Sequence, residues 1–288
     1  MRGLRLYCNF REWVPTKSQY NHCLALLTEK EREHINSFTF AEDSKACLVG
    51  KILIRYSCFI TTSIKPSFQV YGVGDHGKPF LDLVDDSLVN NFEFNISHHG
   101  DYCVLASHIG SPLGIDVMNV HIRGNSVESF FHTMRNQLQP TEWSFVNSSD
   151  SDILKMTNFY RIWCLKESYI KMTGKGLSFG IEDLRFDIKT PHLQTGRLVS
   201  DSRLYLNDTL CTDCVFEETV LPKKHITTTA LALNDEKGVK FEEINLETML
   251  ERLGNINADN INDHFLTFTC LGLVTLIFPA LWFNAANH

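Results

Sequence analysis

The first third of the chain carries apolar residues at helical spacing. Thr28 precedes Glu31 by three residues, which is the spacing of a capping box, and apolar positions continue at helical intervals to Phe40. A second stripe, with a period of three to four residues, runs from Asp43 to about Phe59. The pattern predicts two consecutive helices.

Alternation of apolar and polar residues begins further along the chain. Residues 92–98 alternate clearly, and residues 102–107 follow after a glycine-containing turn, which predicts a β-hairpin. Residues 68–71 and 114–118 are also strand-like. Residues 72–79 contain several glycines and a proline, which is typical of a loop.

The second half contains the same kinds of element. Helical spacing predicts an aromatic-rich helix over residues 127–138 and a long helix over residues 153–173, which Gly174 ends. Strand-like segments follow at residues 184–188, 203–206, 214–219 and 226–233. The sequence therefore predicts an α+β fold, and the order of elements suggests a two-fold relation between the halves.

Composition and charge narrow the function classes. The 288 residues are 43% hydrophobic and 21% charged, as in an ordinary soluble protein. A net charge of -7 argues against non-specific nucleic-acid binding, which depends on a basic surface. The nine cysteines and the lack of a secretory-signal pattern lead us to expect a reducing, cytoplasmic location. Only Cys211 and Cys214 form a close pair, which we interpret as a chance feature of a hairpin.

Residues 265–283 carry no charge and reach the length of a membrane span. Three threonines, a glycine and Pro279 weaken a helix there. Two interpretations stay open, a membrane anchor and an aberrant terminus, so a membrane partner is expected only if this segment inserts.

Two acidic residues are the candidates for chemistry. Asp116 lies in the apolar strand of residues 114–118, and Glu167 lies on the long helix between Lys166 and Lys171. Buried carboxylates that hold a charge need a cation, and a divalent metal bridging phosphate oxygens is a common partner. These residues favour phosphoryl transfer. Alternatively, Asp116 ends a strand, and Glu167 forms a solvated ion pair with Lys171 four residues later.

Motifs around these residues follow a characteristic order. It runs Gly77-Lys78-Pro79, then Asn95-Ile96-Ser97-His98, then Gly114-Ile115-Asp116, then Trp163-x-x-Lys166-Glu167-Ser168-x-x-Lys171. This series resembles the motif set of the 4'-phosphopantetheinyl transferases, and is most similar to the long monomeric branch of that family. The resemblance covers about residues 4–235.

The resemblance implies an activity. Such enzymes transfer the 4'-phosphopantetheine arm from coenzyme A to a carrier-protein serine, as holo-[acyl-carrier-protein] synthases, with Mg²⁺, and release adenosine 3',5'-bisphosphate. The implied partners are carrier domains of the fatty-acid synthase and aminoadipate-semialdehyde dehydrogenase types. The implied fold has two similar, pseudo-two-fold-related α+β halves with the active site between them. We expect a monomer with halves at residues 1–111 and 112–235 and a C-terminal extension at residues 236–288.

The resemblance also implies roles for individual residues. Asp116 and Glu167 would hold Mg²⁺, and together with Lys171 they form the catalytic set. Glu167 or a metal-bound water would act as the base. Eight residues would contact coenzyme A: Lys78, Pro79, Asn95, Ser97, His98, Lys166, Lys171 and His34.

Three positions depart from the family pattern. Met118 stands where many relatives carry a second acid, so that a water would replace the ligand. His34 replaces an arginine that contacts coenzyme A, although Arg32 could substitute for it. The usually basic residues 73–76 read Val-Gly-Asp-His. Because this loop has fewer basic residues than usual, a second hypothesis stays open, namely a carrier-binding homologue that does not catalyse transfer.

Overall fold

The structure is a computed structural model that describes residues 3–74, 76–82, 91–122, 126–176 and 180–254. Its helices and strands fall into two halves along the chain. The first half contains β1 (Leu4–Asn9), α1 (Lys17–Ala25), α2 (Glu29–Asn36), α3 (Ala41–Thr62), β2 (Tyr71–Val73), β3 (Pro79–Leu81), β4 (Phe92–His99) and β5 (Tyr102–Ile109). The second half contains β6 (Gly114–Asn119), α4 (Val127–Met134), α5 (Pro140–Val146), α6 (Asp152–Thr173), β7 (Leu184–Asp187), β8 (Arg203–Leu206), β9 (Thr209–Leu210), β10 (Cys214–Leu221) and β11 (His225–Ala232). The strand β12 (Glu242–Glu243) and the helix α7 (Leu246–Leu253) follow.

Local sequence signals set the helix ends. Thr28 accepts a hydrogen bond from the backbone N–H of Glu31, and the Glu31 carboxylate accepts one from the backbone N–H of Thr28. This capping box starts α2 as predicted. The long helix α6 ends at Gly174, whose φ of 65° is the left-handed conformation that glycine adopts without strain.

The strands form two main sheets. In the first, the order is β12-β1-β5-β4, and in the second it is β10-β11-β6. Two smaller sheets have the orders β2-β3 and β7-β8-β9. Within the main sheets, β5 is antiparallel to β1 and β4, and β11 is antiparallel to β10 and β6.

Each main sheet is covered by one 22-residue helix. Leu48 and Leu53 of α3 share a core with Leu105 of the first sheet. Ile162 of α6 shares a second core with Ile226 of the second sheet. A third cluster joins the two sheets: Tyr102, Val104, Ala106, Leu113, Ile115, Val117, Leu221 and Leu231. The fold is α+β, and each half is a long helix packed on a mainly antiparallel sheet.

Part of the predicted C-terminal extension belongs to the first half. Strand β12 pairs in parallel with β1, and α7 buries Leu246, Met249 and Leu250 in the core beneath α3. Helix α7 is amphipathic, so burial of its apolar face against α3 stabilises this return of the chain. Residues 236–254 are therefore an integral part of the packing.

Other elements also differ from the prediction, and residues 68–71 are one example. Residues 68–71, predicted as a strand, contain the end of a 3₁₀ turn (Pro66–Phe68) and the first residue of β2. The predicted loop of residues 72–79 lies in the β2-β3 hairpin, whose strands are only three residues long. Such short strands carry too little alternation to be recognised in a sequence.

The uncharged segment at residues 265–283 lies outside the described residues. Within the described ranges, no helix is both long enough and apolar enough to cross a membrane.

Candidate active site

A glycine lets the second sheet approach the long helix closely. A β-carbon on Gly114 would lie 2.0 Å from the carbonyl oxygen of Ser168 and 2.4 Å from the backbone nitrogen of Met172. Any larger residue would push β6 away from α6. Because strand side chains alternate, Asp116, two residues later, points to the same face as Gly114 and so towards α6.

Asp116 is the centre of the site. It is 5% exposed, and its Oδ1 atom accepts hydrogen bonds from Lys171 Nζ at 2.7 Å and Ser97 Oγ at 2.8 Å. Lys171 Nζ also donates to Ser97 Oγ at 2.9 Å. Strand β4 thus supplies Ser97, β6 supplies Asp116 and α6 supplies Lys171, so the site joins the two halves.

The second carboxylate oxygen of Asp116, Oδ2, differs from Oδ1 in its hydrogen bonding. Oδ2 is buried and accepts no hydrogen bond from any described residue. A buried carboxylate oxygen without a partner costs free energy, so it is a position where a ligand atom or cation is stabilising.

Glu167 is the second carboxylate of the site. Burial, and then the negative charge of Asp116, raise its pKa to about 7, while the Lys171 ammonium acts in the opposite direction. Burial disfavours the charge on Lys171 itself, but the charges of Asp116 and Glu167 outweigh this and raise its pKa. One ammonium therefore serves two carboxylates.

This donor set fits a hard divalent cation. Such ions prefer carboxylate oxygens, and Asp116 Oδ2 is a buried oxygen free to act as a ligand. A cation beside Glu167 would also favour its ionised form.

Asn95 and His98 flank the cluster on β4. Asn95 Oδ1 accepts a hydrogen bond from the backbone N–H of Ile115 at 2.9 Å, which fixes β4 against β6. The His98 ring is exposed to solvent but lies edge-on to Phe10. The surrounding protein, and then the Lys171 charge, lower the pKa of His98. Both effects favour the neutral form of the His98 ring.

Lys78 and Pro79 line a separate cavity of about 320 Å³ between the β2-β3 hairpin and the end of α6. Lys78 Nζ donates to the carbonyl oxygen of Leu113 at 3.1 Å and lies 3.8 Å from a Glu93 carboxylate oxygen. Burial lowers the pKa of Lys78, and Glu93 partly opposes the shift.

The geometry argues against the predicted role of Lys166. Its side chain is 0% exposed, its Nζ lies 2.8 Å from Glu142 Oε2, and it donates to the carbonyl oxygens of Gln137 and Ile181. With three protein acceptors, this ammonium is not available to a phosphate. The motif could not predict the Lys166–Glu142 ion pair, because the sequence does not show that α5 packs against α6 at this point.

His34 lies on the exposed surface of α2, where its ring contacts Phe38 edge-on at 5.1 Å. Its predicted contact with coenzyme A stays a prediction.

Comparison with known families identifies the fold. Residues 11–110 match the family model described as 4'-phosphopantetheinyl transferase, N-terminal, and residues 112–230 match that of the 4'-phosphopantetheinyl transferase superfamily. The chain belongs to the 4'-phosphopantetheinyl transferase superfamily. Family membership supports transfer of a phosphopantetheine group to carrier proteins.

Individual relatives agree with this assignment. The chain is 33% identical over 245 residues to the L-aminoadipate-semialdehyde dehydrogenase-phosphopantetheinyl transferase of Homo sapiens, covering 85% of this chain and 79% of the relative. It is 34% identical over 184 residues to a phosphopantetheinyl transferase of a Thraustochytrium species, covering 61% and 62%. It is 27% identical over 186 residues to a 4'-phosphopantetheinyl transferase of Bacillus subtilis, covering 65% and 77%.

Two further contacts of this transferase site involve residues outside the four motifs. Thr227 Oγ1, on β11, donates to the backbone carbonyl oxygen of Asp116 at 2.8 Å. Asp43, at the start of α3, is close enough to His98 for its charge to act on the pKa of that ring. Thr227 reaches Asp116 because β11 pairs with β6, and Asp43 comes near His98 because α3 packs on β4. Each contact joins residues that are distant in sequence but lie in the same half.

Proposed function

We propose that the protein transfers the 4'-phosphopantetheine group from coenzyme A to the serine of an acyl carrier protein domain. The reaction converts the apo carrier to the holo form and releases adenosine 3',5'-bisphosphate, as holo-[acyl-carrier-protein] synthases do. The observation that carries the proposal is the buried Asp116 carboxylate, which is held by Ser97 and Lys171 through Oδ1 while Oδ2 has no partner among the described residues.

We further propose that Asp116 and Glu167 hold Mg²⁺. When bound, this ion neutralises charge that develops on the pyrophosphate of coenzyme A. Lys171 keeps Asp116 in place, and its ammonium adds positive charge at the same point. The Ser97 hydroxyl accepts from Lys171 and donates to Asp116, which orients both groups.

Glu167 is the proposed base. A bound cation favours the ionised form of Glu167, and an ionised carboxylate can accept a proton at neutral pH. It takes the proton of the carrier serine as the serine oxygen bonds to the phosphorus that bears the pantetheine arm. The bond from that phosphorus to the bridging oxygen breaks, and its electron pair leaves with adenosine 3',5'-bisphosphate.

The nucleotide end of coenzyme A is proposed to lie near Lys78 and Pro79. Their cavity is lined by Met172 and Thr173, the two residues that follow Lys171 at the end of α6. His98 is exposed to solvent, and its pKa would rise beside a phosphate, so that the ring donates a hydrogen bond to it.

The proposed partners follow from the relatives. Several are named for their action on aminoadipate-semialdehyde dehydrogenase. We propose carrier domains of this type and of the fatty-acid synthase type as substrates, and a monomer as the active form.

The test is intact-mass analysis of an apo carrier domain after incubation with the protein, coenzyme A and Mg²⁺. The proposal predicts a carrier heavier by one phosphopantetheine arm and no change when Mg²⁺ is chelated. An unchanged mass in the presence of a carrier that co-elutes with the protein would support the competing hypothesis of a non-catalytic carrier-binding homologue.

A further inference from the structure

The connection between β9 and β10 carries three side chains that the proposed transfer does not involve. Cys211 Sγ lies 3.3 Å from Cys214 Sγ and 2.7 Å from Asp213 Oδ1. The three potential ligand atoms all lie within 4.8 Å of one another. Two sulfur atoms and one carboxylate oxygen thus converge on one point at the protein surface.

The backbone holds this arrangement from both sides. The N–H of Cys211 donates to the carbonyl oxygen of Leu204 on β8 at 2.9 Å. The N–H of Leu233 donates to the carbonyl oxygen of Asp213 at 2.8 Å, and Cys214 pairs with Ala232 on β11. Because two different sheets fix the segment, a ligand would find the three side chains close together without ordering a loop.

The spacing suits a metal better than a disulfide. Two thiolates on a tetrahedral ion with metal–sulfur bonds of about 2.3 Å lie about 3.8 Å apart. A disulfide requires the sulfur atoms to be about 2.05 Å apart. From 3.3 Å, the pair opens by about 0.5 Å to bind a metal but must close by about 1.2 Å to form a bond.

We propose that Cys211, Asp213 and Cys214 form a binding site for one thiophilic divalent cation of the Zn²⁺ type. The cysteine spacing is the C-x-x-C of many zinc sites, and the aspartate supplies a third ligand. The fourth position is open to water. On binding, both thiols lose their protons to solvent and two metal–sulfur bonds form, with no change of oxidation state.

The site would connect two parts of the second half. Cys211 follows β9 of the small sheet, and Cys214 begins β10 of the main sheet. Both cysteines pack on the core that contains Tyr169 of α6. The proposed ion therefore acts as a structural clamp between the two sheets and contributes to stability rather than to transfer.

The experiment is a titration of the reduced full-length protein with Cd²⁺, followed by the ultraviolet sulfur-to-metal charge-transfer absorbance. Only thiolate ligation produces this band, so a cation at Asp116 and Glu167 would not contribute. The proposal predicts one equivalent of Cd²⁺ bound with the band, and its loss in Cys211→Ser and in Cys214→Ser. Cys47→Ser, which alters a half-buried free cysteine on α3, is the matched control and should keep the full band.

Two further measurements complete the test. Asp213→Asn should keep the band but weaken Cd²⁺ binding about tenfold, and saturating Zn²⁺ should raise the wild-type Tm by roughly 5 °C. The proposal is wrong if the reduced protein gives no band, or if the Cys211→Ser protein gives the same band as the wild type. Unchanged affinity in Asp213→Asn would overturn the three-ligand site, and ready oxidation to a Cys211–Cys214 disulfide without metal binding would overturn the metal site.

Discussion

Lys166 and Lys171 lie five residues apart on α6, which places them about 140° apart around the helix. Lys166 is 0% exposed and forms a closed set of contacts with Glu142 and two carbonyl oxygens. The Lys171 side chain is 28% exposed and shares Asp116 with Ser97. The same residue type on the same helix thus occupies two different electrostatic environments.

The two ion pairs differ in whether their charges and hydrogen-bonding atoms are fully paired within the protein. At the Lys166 pair, the charges compensate each other inside the protein, as in many structural ion pairs. At the Lys171 site, two carboxylates face one ammonium, and Asp116 Oδ2 accepts no hydrogen bond from the described residues. An excess of buried negative charge with an accessible face is an arrangement that a bound cation completes.

The largest expected loss of transfer rate comes from replacing Asp116 in the proposed active site. Asp116→Asn should reduce transfer on the order of 10³-fold, because the amide neither carries the charge for Mg²⁺ nor pairs with Lys171. The measurement is the rate of holo-carrier formation by intact mass. Asp208→Asn, at a surface aspartate whose side chain is 90% exposed, is the control and should keep the wild-type rate. Mg²⁺-dependent turnover near that of the control would remove Asp116 from the metal site.

The two lysines can be compared directly with isosteric replacements. Lys171→Met should slow transfer about 100-fold, because the lost charge acts on the reacting phosphates, and should also lower stability, because the buried Asp116 loses its ion pair. Lys166→Met should lower the free energy of unfolding by about 3–5 kcal/mol, because Glu142 is left charged and buried, but should not change the transfer rate per folded molecule. Urea unfolding and the transfer rate per folded molecule measure the two effects.

The stability lost in Lys166→Met should be regained when its partner Glu142 is also replaced. Lys166→Met combined with Glu142→Gln should regain much of the lost stability, because the buried charge is gone. The comparison between the lysines fails if Lys166→Met proves stable but inactive.

The pH dependence of stability tests the environment of Glu167, the second carboxylate at the Lys171 site. The pKa of Glu167, about 7, lies above its ordinary value of 4.5, so the folded protein retains a proton that the unfolded chain loses between these pH values. The stability contributed by Glu167 is therefore full below pH 4.5 and is lost as pH rises through 7. Without metal, wild-type stability relative to Glu167→Gln should fall by about 2–3 kcal/mol between pH 5 and pH 8.

Urea unfolding at several pH values measures this difference. Mg²⁺ at pH 8 should restore stability to the wild type more than to Glu167→Gln, since it stabilises the ionised carboxylate. Parallel pH curves for the two proteins would show that Glu167 has an ordinary pKa.

The smallest expected effect concerns Ser97. Ser97→Ala removes one of two donors to Asp116 Oδ1 and should slow transfer about tenfold, since Lys171 still holds the carboxylate. Ser144→Ala, at an exposed hydroxyl that bonds only within α5, is a suitable control. An unchanged rate in Ser97→Ala would mean that Lys171 alone orients Asp116.

Parts of the fold could be predicted from sequence because their signals are local, whereas the roles of the site residues are predicted only through the resemblance of the motif series to a family. The Thr28–Glu31 capping box, the Gly174 helix end and the alternation in β4 each depend on neighbouring residues only. The partners of Lys166 could not be predicted, because Glu142 belongs to another helix and only packing brings them together. The position of α7 beneath α3 is equally non-local, so the sequence alone predicts only a C-terminal extension for residues 236–288.

The central claim is that Asp116 and Glu167 together bind a hard divalent cation. Its most direct test is titration with Mn²⁺ in the presence of coenzyme A, with free Mn²⁺ measured by electron paramagnetic resonance. We expect one tight site in the wild type and in the surface control Glu42→Gln, and its loss in Asp116→Asn and Glu167→Gln. Equal binding by all four proteins, or no tight site in the wild type, would contradict it.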